Sequence, residues 1–323
     1  MNLQLGLLAL WASVNSVAVC AQSAYPSRPI RWIVPYPPAG PNDMLARTLN
    51  DPLGKRLGQS VVIDNRGGAA TVIGAEIAAN AAPDGYTLFH ATVTTLAVAP
   101  ALSNRLSFNP ERDFVPISML GAQPYLLALH PSVPATTVQQ LVAHAKANPG
   151  KLSYASAGMG TSAHLAGEMF RYMAAINTVH VPYKGGGPAM NDLMAGQVAY
   201  MFGGISGLMP QRQIGKVRVL ANSSGTRSPA APDVPTIAES GLAGYATNTW
   251  NSLVAPRATP QGIIDRINAE INGVLNQPEV RDRLIKQGID PEPGTQAQLR
   301  AHIKSEIARY SALIKAIGLS NVQ

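Results

Sequence analysis

The sequence predicts an α/β protein of two lobes with mainly parallel sheets, joined by two crossing strands. Three observations predict it. Strand-like and helix-like segments alternate along nearly all of the 323 residues, the order that gives parallel sheets with right-handed crossovers. Two Gly-rich strand-to-helix turns stand far apart in the chain: Pro35-Tyr36-Pro37-Pro38-Ala39-Gly40-Pro41-Asn42-Asp43 and Ser156-Ala157-Gly158-Met159-Gly160-Thr161-Ser162. Two apolar stretches, near residues 120–128 and 246–254, suit passage from one lobe to the other. A chain of this length also exceeds what one core ordinarily organises.

The elements follow in order. Ile30–Val34 reads as a buried strand. Asn42 can cap a helix whose Leu45, Leu49, Leu53 and Leu57 recur every fourth residue, with Pro52 expected to kink or end it. Val61–Ile63 is the next strand. Ile73–Ala82 is the next helix, stopped by Pro83-Asp84-Gly85, and Tyr86–Ala91 is a third strand. Ile117–Leu129 is the first crossing. Beyond it come a helix over Val138–Asn148, a strand at Ser153–Ala155, a helix over Ser162–Ile176 and a strand at Val179–Val181. Pro188 fits the first position of a helix carrying Met190, Leu193 and Met194. Val198–Phe202 and Val217–Leu220 complete these strands, and Trp250–Val254 returns. Thr259-Pro260 opens a helix with Ile263, Ile264, Ile267, Ile271 and Leu275. Thr295 with Gln298 is a capping-box start for the last helix, which ends before Gly318. Residues 25–122 and 248–323 are thus expected to form one lobe, with 123–247 inserted as the other.

The N-terminus reads as an export signal spanning residues 1–21, with a membrane anchor as the rival. Met1 to Ala21 carry no charged side chain, and Val19-Cys20-Ala21 offers small residues for cleavage after Ala21. Cys20 is the only cysteine; a lipoprotein reading fits Val19 poorly. Cleavage after Ala21 leaves a mature chain without a thiol, which removes disulfides, cysteine nucleophiles and Cys-based zinc sites.

The net charge of +7 reflects 25 Lys and Arg against 18 Asp and Glu. There is no run of five basic residues and no interleaving of aromatics with them, so nucleic acid is not an expected partner. Motifs for a zinc protease, a hydrolase nucleophile elbow or a P-loop are absent, and Gly158-x-Gly160 lacks the third glycine of a dinucleotide fingerprint. The 6 histidines show no metal-ligand spacing. No metal and no cofactor are expected. Ser162 and His164 stand at i and i+2, which do not face each other on a helix. His164 is instead a candidate hydrogen-bond donor near an anion.

What remains are the turns. Each sets backbone N–H groups and a positive helix end at the carboxyl edge of a strand, a ready anion site. Tyr36, Ala39, Gly40 and Asp43 would line one side of a cleft. Gly158, Gly160, Thr161, Ser162 and His164 would line the other. Tyr183, in the third turn Tyr183-Lys184-Gly185-Gly186-Gly187-Pro188, would wall the cleft opposite Tyr36.

The turns, their order and several landmarks together resemble the tripartite tricarboxylate transporter (Bug) family of periplasmic solute-binding proteins. The landmarks are Tyr25-Pro26-Ser27-Arg28-Pro29-Ile30, Asn65-Arg66-Gly67-Gly68-Ala69 and Ala82-Pro83-Asp84-Gly85-Tyr86-Thr87-Leu88. With them stand Gly160-Thr161-Ser162-Ala163-His164-Leu165-Ala166 and Val181-Pro182-Tyr183-Lys184-Gly185. The resemblance implies the type II periplasmic-binding-protein fold and a ligand carboxylate gripped by backbone N–H groups, with few or no cationic side chains. It implies delivery to a membrane permease of the same type, and the chain is expected to be a periplasmic monomer. Three departures stand out, one of them Gly67-Gly68-Ala69-Ala70 in place of a more Pro/Gly-rich turn. Pro38-Ala39-Gly40-Pro41 replaces a turn with two adjacent glycines, and Ala199 and Gly203 stand where the family often has acids. The missing acid at Gly203 disfavours amino-acid ligands and favours plain carboxylates. Two other readings use the same residues: a ligand-sensing subunit for a signalling partner, and a secreted α/β enzyme acting on small acids through Ser162, His164 or Asp43.

Overall fold

The computed structural model describes residues 25–318 apart from Ala39 and Asn104. The expected export segment and Cys20 lie outside the described residues, as does Ala39 of the first turn.

The chain begins β1 (Ile30–Val34), α1 (Pro41–Leu57), β2 (Val61–Asn65), α2 (Val72–Ala79) and β3 (Thr87–Thr92). A π-helical turn (Thr94–Val98) leads into the short helices α3 (Ala99–Leu102) and α4 (Pro110–Asp113), then the long β4 (Phe114–Leu129). The middle of the chain is α5 (Val138–Ala147), β5 (Ser153–Ser156), α6 (Ser162–Ala174), β6 (Val179–Pro182), α7 (Gly186–Met194), β7 (Tyr200–Gly204), α8 (Ile205–Gln213) and β8 (Arg218–Asn222). It closes with β9 (Asn248–Pro256), α9 (Gln261–Leu275), α10 (Pro278–Lys286) and α11 (Gln296–Ala316).

The strands run β2-β1-β3-β9-β4-β7-β5-β6, with β8 also pairing β4. The pairs β1–β2, β1–β3, β5–β6 and β5–β7 are parallel. Every antiparallel ladder involves β4 or β9. β4 spans both lobes: Phe114 to Pro124 pair with β9, and Tyr125 to Leu129 pair with β7. The chain therefore has two α/β lobes bridged by crossing strands.

Alternation along each strand explains why these segments read as continuous apolar runs. Ile30, Trp32 and Val34 face a core built with Leu45, Leu49, Leu53, Ile264, Ile267 and Ile271. Ile33 faces the opposite core with Phe89, Trp250, Ile303 and Tyr310. Both faces of the sheet are covered by helices, so no strand residue here needs to be polar. Around β4 and β7 the pattern repeats: Leu127, Leu129, Tyr200 and Phe202 face one core, while Leu126, Ala128 and Met201 face another.

Three expectations about helices need correction. The first helix starts at Pro41 with Gly40 as its N-cap, so Asn42 lies inside it. It also runs through Pro52 to Leu57. A proline inside a helix costs about 3 kcal/mol. Burial of four leucines on one face, each worth about 1.5–3 kcal/mol, outweighs that. Pro188 is the third residue of α7, whose N-cap is Gly185. The capping box at Thr295 and Gln298 is present.

Candidate functional site

A cavity of about 550 Å³ lies at the carboxyl ends of β1, β5 and β7, the edge where open α/β sheets place their ligands. Its floor is the crossing: Gln123, Pro124 and Tyr125 from β4, and Thr249 from β9. From one lobe come Tyr36, Pro41, Asn42, Gly68, Thr71 and Thr94. From the other come the starts of α6 (Thr161, Ser162, Ala163), α7 (Gly186, Gly187) and α8 (Gly204, Ile205, Ser206, Gly207).

Among the described residues, five helices of eight residues or more thus begin on this cavity: α1, α6, α7 and α8, and α2 through its N-cap Thr71. The N-caps of α1, α7 and α8 are Gly40, Gly185 and Gly204, and none makes a side-chain capping bond. A glycine N-cap leaves the first-turn N–H groups without a side-chain acceptor, and the macrodipole puts positive potential at the same place. α6 is the exception: its N-cap Thr161 accepts from the His164 backbone N–H. No described residue lining the cavity has a charged side chain.

Hydroxyls furnish much of the polar surface, together with the amides of Asn42, Gln123 and Gln287. Tyr36 Oη lies 3.0 Å from Thr92 Oγ1, and Tyr125 Oη lies 2.6 Å from Thr249 Oγ1. Thr94 Oγ1 and Ser162 Oγ approach to 3.4 Å across the cleft. Burial pushes the Tyr36 phenol up to about 12 and raises Tyr125, so both remain protonated donors. The far wall is apolar: Met190, Met201, Ile205 and Leu208.

Of the residues singled out from sequence, Tyr36, Gly160, Thr161, Ser162 and Gly203 line the cavity, while Gly40, Asp43, Gly158, His164 and Tyr183 stand outside the lining. Asp43 is buried and accepts from Arg47 Nε at 2.8 Å and Asn65 Nδ2 at 3.0 Å. The same Asn65 amide donates to the Tyr36 carbonyl. Asp43 thereby ties the first turn to β2. His164 is buried behind the second turn, where its Nδ1 accepts from the Gly160 backbone N–H at 3.1 Å. Tyr183 donates its hydroxyl to Asp192 Oδ2 at 2.6 Å, and that bond raises its phenol to about 12. Lys184 is exposed and outside the lining.

Gly158 has φ 135°, a conformation that favours glycine, and a Cβ there would meet the Tyr183 carbonyl at 3.1 Å. At Gly203 a Cβ would meet Leu208 Cδ1 at 2.7 Å and Met201 Cε at 3.1 Å, so the apolar wall closes over it. The site residues that sequence reading missed are Asn42, Thr94, Tyr125, Thr249 and the α8 start. Gly203-Gly204 before Ile205 was the available signal for the last. Asn42 stands in the first turn itself, between Gly40 and Asp43, while Thr94, Tyr125 and Thr249 are brought in by packing between distant segments.

A family model described as the tripartite tricarboxylate transporter family receptor matches residues 45–319. The chain is similar to protein BugT of Bordetella pertussis, 37% identical over 310 residues that cover 95% of this chain and 94% of BugT. Among solved structures it is similar to R. palustris Rpa4515 with adipate, with 32% identity and a TM-score of 0.82. That match covers 92% of this chain and 100% of the other. It is also similar to the periplasmic binding protein BugD, with 32% identity, a TM-score of 0.78 and the same two coverages, 92% and 100%. Two lobes on crossing strands, a cavity at their carboxyl edges and these likenesses over nearly the whole length agree: the chain belongs to the family of tripartite tricarboxylate transporter receptors.

Proposed function

We propose that this protein captures a small organic carboxylate in the cavity, in the periplasm, and delivers it unchanged to a membrane permease of the tripartite tricarboxylate type. The observation that carries the reading is the lining: helix starts from both lobes converge on a cavity without a charged side chain. An anion there is held by N–H and hydroxyl dipoles. Charge-assisted hydrogen bonds are worth about 1.5–3 kcal/mol each. Three or four support micromolar binding, about 8 kcal/mol, after association costs. The adipate bound to Rpa4515 supports the ligand class.

We assign ligand contact to Tyr36, Asn42, Thr161, Ser162 and Gly204. Asp43 and His164 act behind them. Closure is a hinge motion where β4 and β9 cross between lobes. The protein acts as a monomer and performs no chemistry on its ligand.

The test is a thermal-shift screen of ligand-stripped protein against aliphatic, aromatic and hydroxylated carboxylates, with amino acids as controls. A ligand at 100 times its Kd adds about 2.7 kcal/mol, which raises Tm by about 4 °C for a chain this size. The ligand is then recovered and checked for chemical change. Silence across the whole panel, or recovery of an altered acid, sinks the reading.

A further inference from the structure

We infer that His164 is a positioning residue whose neutral ring, held in a single tautomer, fixes the Gly158–Thr161 turn in the shape that presents the start of α6 to the ligand. What the turn does rests on the capture reading above. What His164 does rests on its geometry.

The Gly160 backbone N–H donates to His164 Nδ1 at 3.1 Å. Nδ1 is therefore an acceptor, and the neutral ring carries its proton on Nε2, which faces Glu168 Oε1 at 3.9 Å. A doubly protonated ring would aim an Nδ1–H at the Gly160 N–H. Two donors cannot share that contact, so one side must move. The side free to move is the turn. Gly158 and Gly160 have φ of 135° and 72°, and neither has a side chain to anchor it. Its other ties are short-range and include Thr161 Oγ1 donating to the Gly158 carbonyl at 2.8 Å and the Gly158 N–H donating to Ser156 Oγ at 3.1 Å. Gly160, Thr161 and Ser162, the residues that would shift, all line the cavity.

The surroundings keep the ring neutral. His164 stacks on His180 of β6 at 4.1 Å, and His180 stacks on Tyr154 of β5 at 4.8 Å. On its own helix His164 meets Glu168 and Arg171. Arg171 Nη1 holds both Glu168 oxygens, at 2.7 and 2.8 Å, and Tyr154 Oη donates to Glu168 Oε1 at 2.5 Å. With its charge so engaged, Glu168 favours a second ring proton only in part, and burial outweighs it. Burial lowers the His164 pKa from its ordinary value, with Glu168 opposing and Arg171 assisting. Acid enough to protonate His164 would break the Gly160 bond and release the turn.

The test uses the full chain, two variants and three probes: adipate, malate and benzoate. His164→Asn keeps an acceptor at the position of Nδ1 and does not titrate. His164→Leu keeps the bulk and removes the acceptor. Nitrogen-15 spectra of the wild type should show an unprotonated Nδ1 at pH 7.5. Amide exchange at Gly160 should be at least tenfold faster in His164→Leu and within threefold of wild type in His164→Asn. Calorimetry with whichever probe binds should show a tenfold or greater loss of affinity in His164→Leu. In the wild type, affinity should fall between pH 7.5 and 5.0, and the fall should be flattened in His164→Asn. A protonated Nδ1 at pH 7.5, or Gly160 exchange unchanged by the leucine, overturns the inference. Failure of all three probes on wild type counts against capture of these acids, while the spectra and exchange still decide the role of His164. Melting curves of both variants verify that each is folded.

Discussion

Several polar residues of this protein do their work out of the ligand's sight. Asp43 holds Asn65, and Asn65 holds the Tyr36 carbonyl, so a buried carboxylate fixes the lip of the cleft. Replacing it with alanine removes its bonds to half-buried Asn65 and exposed Arg47, which costs about 1–3 kcal/mol. Chemical denaturation of Asp43→Ala should show that loss, together with weaker carboxylate binding; a loss under about 0.5 kcal/mol would deny the clamp. His90 offers a pH test. It is fully buried, its Nε2 lies 2.9 Å from Asn251 Oδ1, and burial lowers its pKa from 6.5 to about 4. The unfolded chain takes up this proton near pH 6.5, while the folded chain resists it until about 4. Stability from a neutral His90 is therefore complete above 6.5 and drains away as pH falls toward 4, by up to about 3 kcal/mol. The unfolding free energy measured at pH 7 and pH 4.5 should fall by that order, and His90→Gln should flatten the slope. Asp43 and His164 were legible in the sequence as chemistry beside a turn. Their orientation behind it was not, because side-chain direction at a helix start depends on what β2, β5 and β6 place beneath it.

At the scale of elements, the helix starts set affinity against stability. Gly204 caps α8 with φ −65° and ψ 147°, the extended conformation an Asp cap adopts, and a Cβ there meets nothing within 4 Å. Gly204→Asp should fit without strain and cap the helix, raising stability by a few tenths of a kcal/mol. It would also put a carboxylate where the ligand's is proposed to sit. Carboxylate affinity should drop at least tenfold, about 1.4 kcal/mol, while Tm holds or rises. Unchanged affinity would remove the α8 start from the site. Gly203→Asp contrasts with it, since that side chain meets Leu208 and Met201 at once; overpacking of this kind destabilises by about 1–3 kcal/mol. Elements were readable in proportion to how local their signals are. The Thr295 capping box and the leucine stripe of α1 lie within one helix. α8 carries Gly207 and Pro210 in a nine-residue span, so its sequence argues for a loop. Packing of Ile205 and Leu208 into the core beneath β7 decides otherwise.

For the whole molecule, the crossing made the two-lobed layout readable in advance, since only a long apolar run can span two cores. The cavity floor was not, because Tyr125 and Thr249 meet through pairing between strands far apart in the chain. Strand β4 has a further consequence. One half of it completes the β3–β9 sheet, and the other half supplies β7 and β8 with their partner. Neither lobe has a finished sheet unless the other end of the same strand is also in place. The two lobes should therefore melt together, in one calorimetric transition whose van't Hoff and calorimetric enthalpies agree. A chain cut within the crossing would leave each half with an unpaired apolar strand edge, the kind of surface that aggregates. Two resolved transitions would show that the lobes fold independently. The strand proposed as the hinge between the lobes is also the one that keeps them from living apart.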